Sequence, residues 1–349
     1  MVDSVILQKQ RKWHATGWFW ALIALFVVIL MLLPVATIAY LAFFPKENIW
    51  PHLLETTLPR YLSNSLIVMS ATAIASIICG TAAAWLVVMK QFPGRRILEW
   101  ALFLPLSIPT YIGAYALVDF WEYAGPFQTL LRDSFGWAHA SDYWFPQVRT
   151  RGAAIFVFTL ALYPYVYLMA RSAFKEQSIS AYETARTLGA GPWAAFFKIG
   201  LPLARPAIVV GASIVMMETL NDFGAVEFFA VQTLTTGIFT IWLEAQNAGG
   251  AAQIAIVMLL LVLGLMLIER SSRKQRRYYQ LSKNQAPIVG EPLSRGASLF
   301  AAGFCAALVG LGFVMPVAIM AEHALDNAEL WLRPKLWSSL FNTVWTSGM

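Results

Sequence analysis

WFWALIALFVVILMLLPVATIAYLAFF, Trp18 to Phe44, runs for 27 residues without a charged side chain. About 20 apolar residues are enough to cross the hydrocarbon core of a bilayer as a helix. Lys9, Arg11 and Lys12 precede the run, as basic residues precede the apolar region of a secretory leader. The run is longer than such a region, however, and no small-residue cleavage site follows it cleanly. It reads as an uncleaved first transmembrane helix.

Composition extends this reading to the whole chain. Of its 349 residues 58% are hydrophobic and only 13% charged, and the mean hydropathy is +0.61. Soluble domains carry about a quarter charged residues, so the chain is a polytopic membrane protein. Further apolar stretches fall near 63–89, 97–118, 152–170, 207–229, 251–268 and 298–321, and another begins near Leu340. Lipid offers unpaired backbone groups no partner, which leaves helices as the economical spanning structure. The expected fold is therefore an all-α membrane protein, a polytopic helical bundle of about seven complete spans plus a truncated eighth. Pro34, Pro105, Pro109, Pro164 and Gly264 lie inside these stretches and predict kinks.

The basic residues orient the bundle. With the N-terminus inside, 18 of the 25 Lys and Arg residues fall on the cytoplasmic side, clustered around residues 9–12, 90–96, 171–205 and 270–295. Such an excess marks cytoplasmic loops. It accounts for the net charge of +6 without nucleic acid as a partner, and the basic run Arg270 to Lys283 reads as a topology anchor. The longest outer segment, Asp119 to Arg151, is rich in aromatics; an external docking surface and an interfacial aromatic belt both fit it.

Between two spans on the cytoplasmic side lies AYETARTLGAGPWAAFFKIGLPLARPAI, Ala181 to Ile208. Small residues around Ala181 to Thr187 allow a short helix to approach another protein closely, and Glu183 favours a helix N-terminus. Gly189 and Gly191-Pro192 turn the chain. A second amphipathic segment, Trp193 to Ile199, then leads to Leu201-Pro202, which is expected to stop it before the next span. The alternative reading of this stretch is an ordinary amphipathic interfacial hairpin. Glu183, Ala185, Gly189, Ile199, Leu201 and Pro202 together resemble the EAA loop, E-x-A-x-x-x-G, nine residues, then I-x-L-P, of the permease subunits of bacterial ABC importers. Thr184 departs from the pattern where it has a second Ala. The resemblance implies a coupling loop that docks on a cytoplasmic ABC ATPase dimer, a periplasmic substrate-binding protein on the other side, and the bacterial inner membrane as location.

The chain itself shows no engine. It lacks a G-x-x-x-x-G-K-[ST] loop, its four histidines are scattered, and Cys79 and Cys305 sit in apolar runs. No catalytic residue, no metal site and no bound cofactor is expected; ATP would be used by the partner subunit. Inside the membrane, METLNDFGAVEFF (Met217 to Phe229) places Glu218, Asn221 and Asp222 on one helix face. Intramembrane carboxylates face an aqueous path or a bundle interior, so these three are candidates for the substrate pathway or, equally, for pins between helices. Met217 to Ala255 looks like the corresponding region of ferric-iron ABC importer permeases, which are fused two-half proteins.

A broken internal repeat agrees with that likeness. LLPVATIAYLAF (Leu32 to Phe43) is echoed by VMPVAIMAEHAL (Val314 to Leu325), and Leu62-Ser63-Asn64-Ser65 by Leu340-Phe341-Asn342-Thr343. The expected organisation is an N-terminal tail, first helix and outer loop (1–60), a first permease domain (61–270) with the coupling loop at 171–206, a cytoplasmic linker (271–296), and the start of a second half (297–349). The function implied is Fe(III) import. Alternatives are an ABC permease for another small solute (phosphonate, polyamine, thiamine or sulfate), a secondary transporter, and an assembly protein without transport. The orientation is directly testable: a reporter enzyme active only in the cytoplasm should be active when fused after Arg186 or Arg277 and silent after Asp133, and the opposite pattern would overturn the span assignment.

Overall fold

Long apolar runs become long helices. The computed structural model describes residues 2–177, 182, 187, 189, 191–274 and 290–348. Its first half holds α1 (Val2–Phe43), α2 (Leu58–Met89), strand β1 (Lys90–Gln91), α3 (Arg95–Ala101), α4 (Thr110–Trp121), α5 (Pro126–Phe135) and α6 (Arg151–Lys175). The second holds α7 (Leu201–Asn221), α8 (Gly224–Phe228), α9 (Ala248–Lys274), β2 (Glu291–Pro292), α10 (Arg295–Val309), α11 (Met315–Asp326) and α12 (Pro334–Gly348). Six stretches among the described residues are long and apolar enough to span: Trp18–Phe43, Leu58–Met89, Arg151–Lys175, Trp193–Asn221, Ala248–Ser271 and Arg295–Asp326. The all-α expectation holds, apart from one parallel rung in which Lys90 pairs with Glu291 and Gln91 with Pro292.

Three expectations about spans need correction. The stretch 97–118 is not one helix: Arg95–Ser107 and Thr110–Phe135 meet at 94°, because Pro105 and Pro109 remove backbone donors. The span expected at 207–229 begins at Trp193 and ends at Asn221. Leu201-Pro202 does not stop the preceding segment. Phe196–Gly200 forms a π-helical turn in which the N–H of Leu201 bonds to the carbonyl of Phe196. The wider turn accommodates Pro202, whose missing donor costs least at a helix start. Helix runs on unbroken through Pro34, Pro164 and Gly264. The helix expected near Leu340 starts at Pro334 and has 15 residues, about 22 Å of rise.

The chain divides into two compact units. The first comprises residues 1–61 and 234–263. In it Gln253 Nε2 donates to the Ala42 carbonyl and to Asn48 Oδ1, both at 3.3 Å, and Asn247 Nδ2 donates to the Glu47 carbonyl at 3.3 Å. These bonds hold the start of α9 to the chain that leaves α1.

The second unit comprises residues 62–233 and 264–349 and is built around α6. Phe158, Tyr163, Val166, Tyr167, Ala170 and Phe174 are fully buried. Two glycines let neighbouring helices approach this one at backbone distance. A Cβ on Gly80 of α2 would lie 2.8 Å from the Tyr163 carbonyl, and one on Gly211 of α7 would lie 2.7 Å from Cα of Val166. Without a hydrophobic drive between helices in lipid, such close van der Waals packing is what joins them. Gly80→Val and Gly211→Val should each cost about 1–3 kcal/mol by overpacking, whereas Gly303→Ala, which meets nothing within 4 Å, should be neutral. Thermal unfolding in detergent measures the difference, and equal midpoints for all three would contradict the close approach.

Candidate functional site

Two regions at opposite ends of α7 carry the polar chemistry. The first surrounds the 171–206 segment. Of its motif residues, Glu183 and Ala185 lie outside the described residues. Gly189 adopts the left-handed conformation, φ 82°, which glycine enters without strain, so the expected turn is there. Ile199 lies in the π-helical turn, and Leu201 and Pro202 open α7; all three are half-buried.

The segment is seated on Trp85 of α2. This ring packs edge-on against Phe174 at 5.3 Å and Phe196 at 4.9 Å, and tilted against Tyr182 at 5.9 Å between centroids. Gln177 is buried, and its Nε2 donates to the Gly200 carbonyl at 3.0 Å while its Oε1 accepts from the Tyr182 hydroxyl. Burial pushes the Tyr182 phenol well above its ordinary range. Beside it, Glu99 Oε1 accepts from Arg171, with Nε at 3.0 Å and Nη2 also in contact, and from Lys175 Nζ at 2.6 Å. The Arg171 guanidinium lies over Trp100 and Phe103, 5.5 and 5.8 Å from their centroids. Sequence reasoning used Arg171 and Lys175 only as topology markers and missed Trp85, Glu99 and Gln177. The signal was a lone carboxylate, Glu99, one turn after an Arg pair and entering an apolar run.

The second region is the far end of α7. Glu218 and Asn221 are exposed, and three residues apart they share a face. Asp222 does not join them: its ψ of 127° is extended and the helix has ended. Its carboxylate instead caps α8, accepting from the Ala225 N–H at 2.7 Å, with Thr110 and the Val226 N–H as further donors. The common face of three therefore reduces to Glu218 and Asn221, because Asp222 satisfies the backbone donors that open the next helix. Glu218 also sits within one turn of the end of its helix.

Around α8 a polar network gathers the adjoining ends. Arg149 donates to Glu122 Oε1 and to the Phe228 carbonyl, each at 3.2 Å, and lies over the Phe228 ring. Tyr115 packs on Phe228 and on His323, whose Nε2 is 3.4 Å from Asp119 Oδ2. In the 119–151 segment Phe135, Trp137 and Tyr143 stack with 4.8 Å between successive centroids. Asp142 accepts from the N–H groups of His139 and Ala138, which hold its carboxyl below the usual range. A cavity of about 120 Å³ is lined by Pro105, Pro109, Leu160, Gly312 and Pro316 among others; it is apolar and suits no hydrophilic solute. Among the described residues no group of three His, Cys, Asp or Glu could hold a metal ion.

This arrangement is that of a transport permease. Residues 74–278, more than half of the chain, match the family described as binding-protein-dependent transport system inner membrane component, and the chain belongs to that family. It is thus a multi-pass inner-membrane protein. It is similar to the molybdenum transport system permease protein ModB of Escherichia coli K12, 31% identical over 210 residues that cover 58% of this chain and 88% of ModB. It is also similar to the Fe(3+)-transport system permease protein FbpB 2 of Haemophilus influenzae, 25% identical over 279 residues, 80% of this chain and 50% of that one. A crystal structure of a bacterial alginate ABC transporter, in complex with alginate pentasaccharide-bound periplasmic protein, contains a chain of the same fold. The TM-score is 0.59 at 18% identity, over 73% of this chain and 94% of the other.

The two carboxylates of the far end should behave differently. Asp222→Asn should keep the cap, because Asn caps as well as Asp, and Asp222→Ala should lose about 0.5–2 kcal/mol. Glu218→Gln, on an exposed face, should leave the thermal midpoint unchanged. A loss of stability on Glu218→Gln would make it a pin between helices.

Proposed function

We propose that this chain is the permease of an ATP-driven importer of Fe(III). A separate binding protein delivers the ion on one face of the membrane, and a cytoplasmic ATPase dimer drives its release by alternating access. The chain binds no cofactor and catalyses no reaction; ATP is consumed by the partner subunits. The N-terminus and the 171–206 segment lie in the cytoplasm, where Glu183, Ala185, Gly189, Ile199, Leu201 and Pro202 form the dock.

The observation that carries the iron reading is Glu218. A carboxylate on the exposed face of an apolar helix is costly against lipid and belongs on a polar path. A trivalent cation requires hard oxygen donors and a negative potential along its route, and Glu218 with Asn221 supplies both. A single carboxylate guides without trapping, which suits a path that must also release. Asp222, engaged in capping α8, adds negative potential rather than a free ligand.

The second reading is an oxyanion, favoured by the 31% identity to a permease named for molybdenum transport. A carboxylate on the path opposes a tetrahedral oxyanion, and this electrostatic difference decides the experiment. The full-length protein, reconstituted with its ATPase and binding protein, is given radiolabelled Fe(III), molybdate or sulfate. Fe(III) should accumulate with ATP and the anions should not. Glu218→Gln should slow Fe(III) uptake while basal ATP hydrolysis stays near wild type. Uptake of an anion instead, or full Fe(III) uptake by Glu218→Gln, overturns the iron assignment.

A further inference from the structure

We propose that Trp85, seated on Gly200, is the positioning residue that hands movement of the 171–206 segment to α2; this rests on the permease reading above. Three elements meet on its one ring. Phe174 lies at the end of α6, Tyr182 within the segment and Phe196 in the π-helical turn that opens into α7. The interplanar angles are 73°, 52° and 63° respectively, so no partner can slide along the indole face without meeting an edge. Rings are rigid bodies in a close-packed interior and pass on displacement rather than absorb it.

Gly200 makes the seat. A Cβ there would stand 2.6 Å from Cζ3 of Trp85 and 2.8 Å from the Tyr182 hydroxyl, closer than real Cβ contacts allow. Gln177, 7% exposed, ties the seat from behind, one end of its amide on Gly200 and the other on Tyr182. Both ends of the segment are therefore bound to the same ring.

The other side of the joint is equally stiff. Five residues beyond Trp85, Lys90 is 8% exposed and its Nζ is 2.7 Å from Glu291 Oε2, in the β1–β2 rung. The end of α2 is held, so a push on Trp85 moves the helix instead of unwinding its last turn. With 32 residues, α2 is a lever of about 48 Å. A half-buried tryptophan that only filled space would need neither the cleared floor at Gly200 nor the doubly engaged amide.

The test separates coupling from folding. Wild type, Trp85→Ala, Trp85→Phe and Gly200→Ala are each reconstituted with ATPase and binding protein. Fe(III), molybdate and sulfate imported are measured per ATP hydrolysed and per assembled complex. Trp85→Ala and Gly200→Ala should lower the ratio about 5- to 150-fold, the range of energetic coupling between sites, with hydrolysis persisting. Trp85→Phe, which keeps a ring on the seat, should stay near wild type. A merely structural role would lower the amount of complex and leave the ratio of what remains unchanged; that result, with wild type working, overturns the joint alone. A wild-type complex that hydrolyses ATP and imports none of the three overturns the permease reading and the joint together.

Discussion

Hydrogen bonds that lipid cannot supply govern the second unit. Where Pro105 and Pro109 break the span, the carbonyls at and just beyond the end of α3 need partners, and each unpaired group in hydrocarbon costs several kcal/mol. Tyr163 donates to the Leu102 carbonyl at 3.2 Å and Tyr167 to that of Glu99 at 2.8 Å. Both tyrosines are fully buried on α6. The repair of one helix is thus also the core of another. Because the side chain of Glu99 holds Arg171 and Lys175 at the end of α6, the broken span and the 171–206 segment are registered to the same element.

That element can serve both because its neighbours come close. Gly80 and Gly211 bring α2 and α7 to backbone distance of α6, which leaves little room for independent sliding. Any force arriving at the 171–206 segment enters a block of three helices and not a loose bundle. The polar residues then divide between the two ends of this block. At one end Gln177, Tyr182, Glu99, Arg171 and Lys175 are consumed in mutual contacts; at the other, Glu218 and Asn221 remain exposed while Asp222 and Arg149 organise α8.

The membrane class and the number of spans to within one were legible in the chain itself. Both rest on one-dimensional properties, composition and apolar run length. Helix breaks were legible only in part. A proline is visible, but whether it breaks a helix depends on what receives the freed carbonyl. Pro105 and Pro109 broke theirs by 94°, while Pro164 and Pro202 were accommodated, the latter by a π-helical turn that no spacing rule announces. The common face of Glu218, Asn221 and Asp222 failed for a related reason: periodicity holds only while the helix lasts, and Asp222 is where it ends.

By itself the sequence determined that this is a multi-helix membrane protein with a polar segment between spans, because hydrophobic length and charge placement act residue by residue. Only the tertiary structure decided which residues do more than fill space. Trp85 and Gly200 are 115 positions apart, Glu99 and Arg171 are 72, and neither pairing leaves a mark in local composition. Their partnership arises from helices brought to backbone contact by glycines, and that distance is a property of the packed bundle alone.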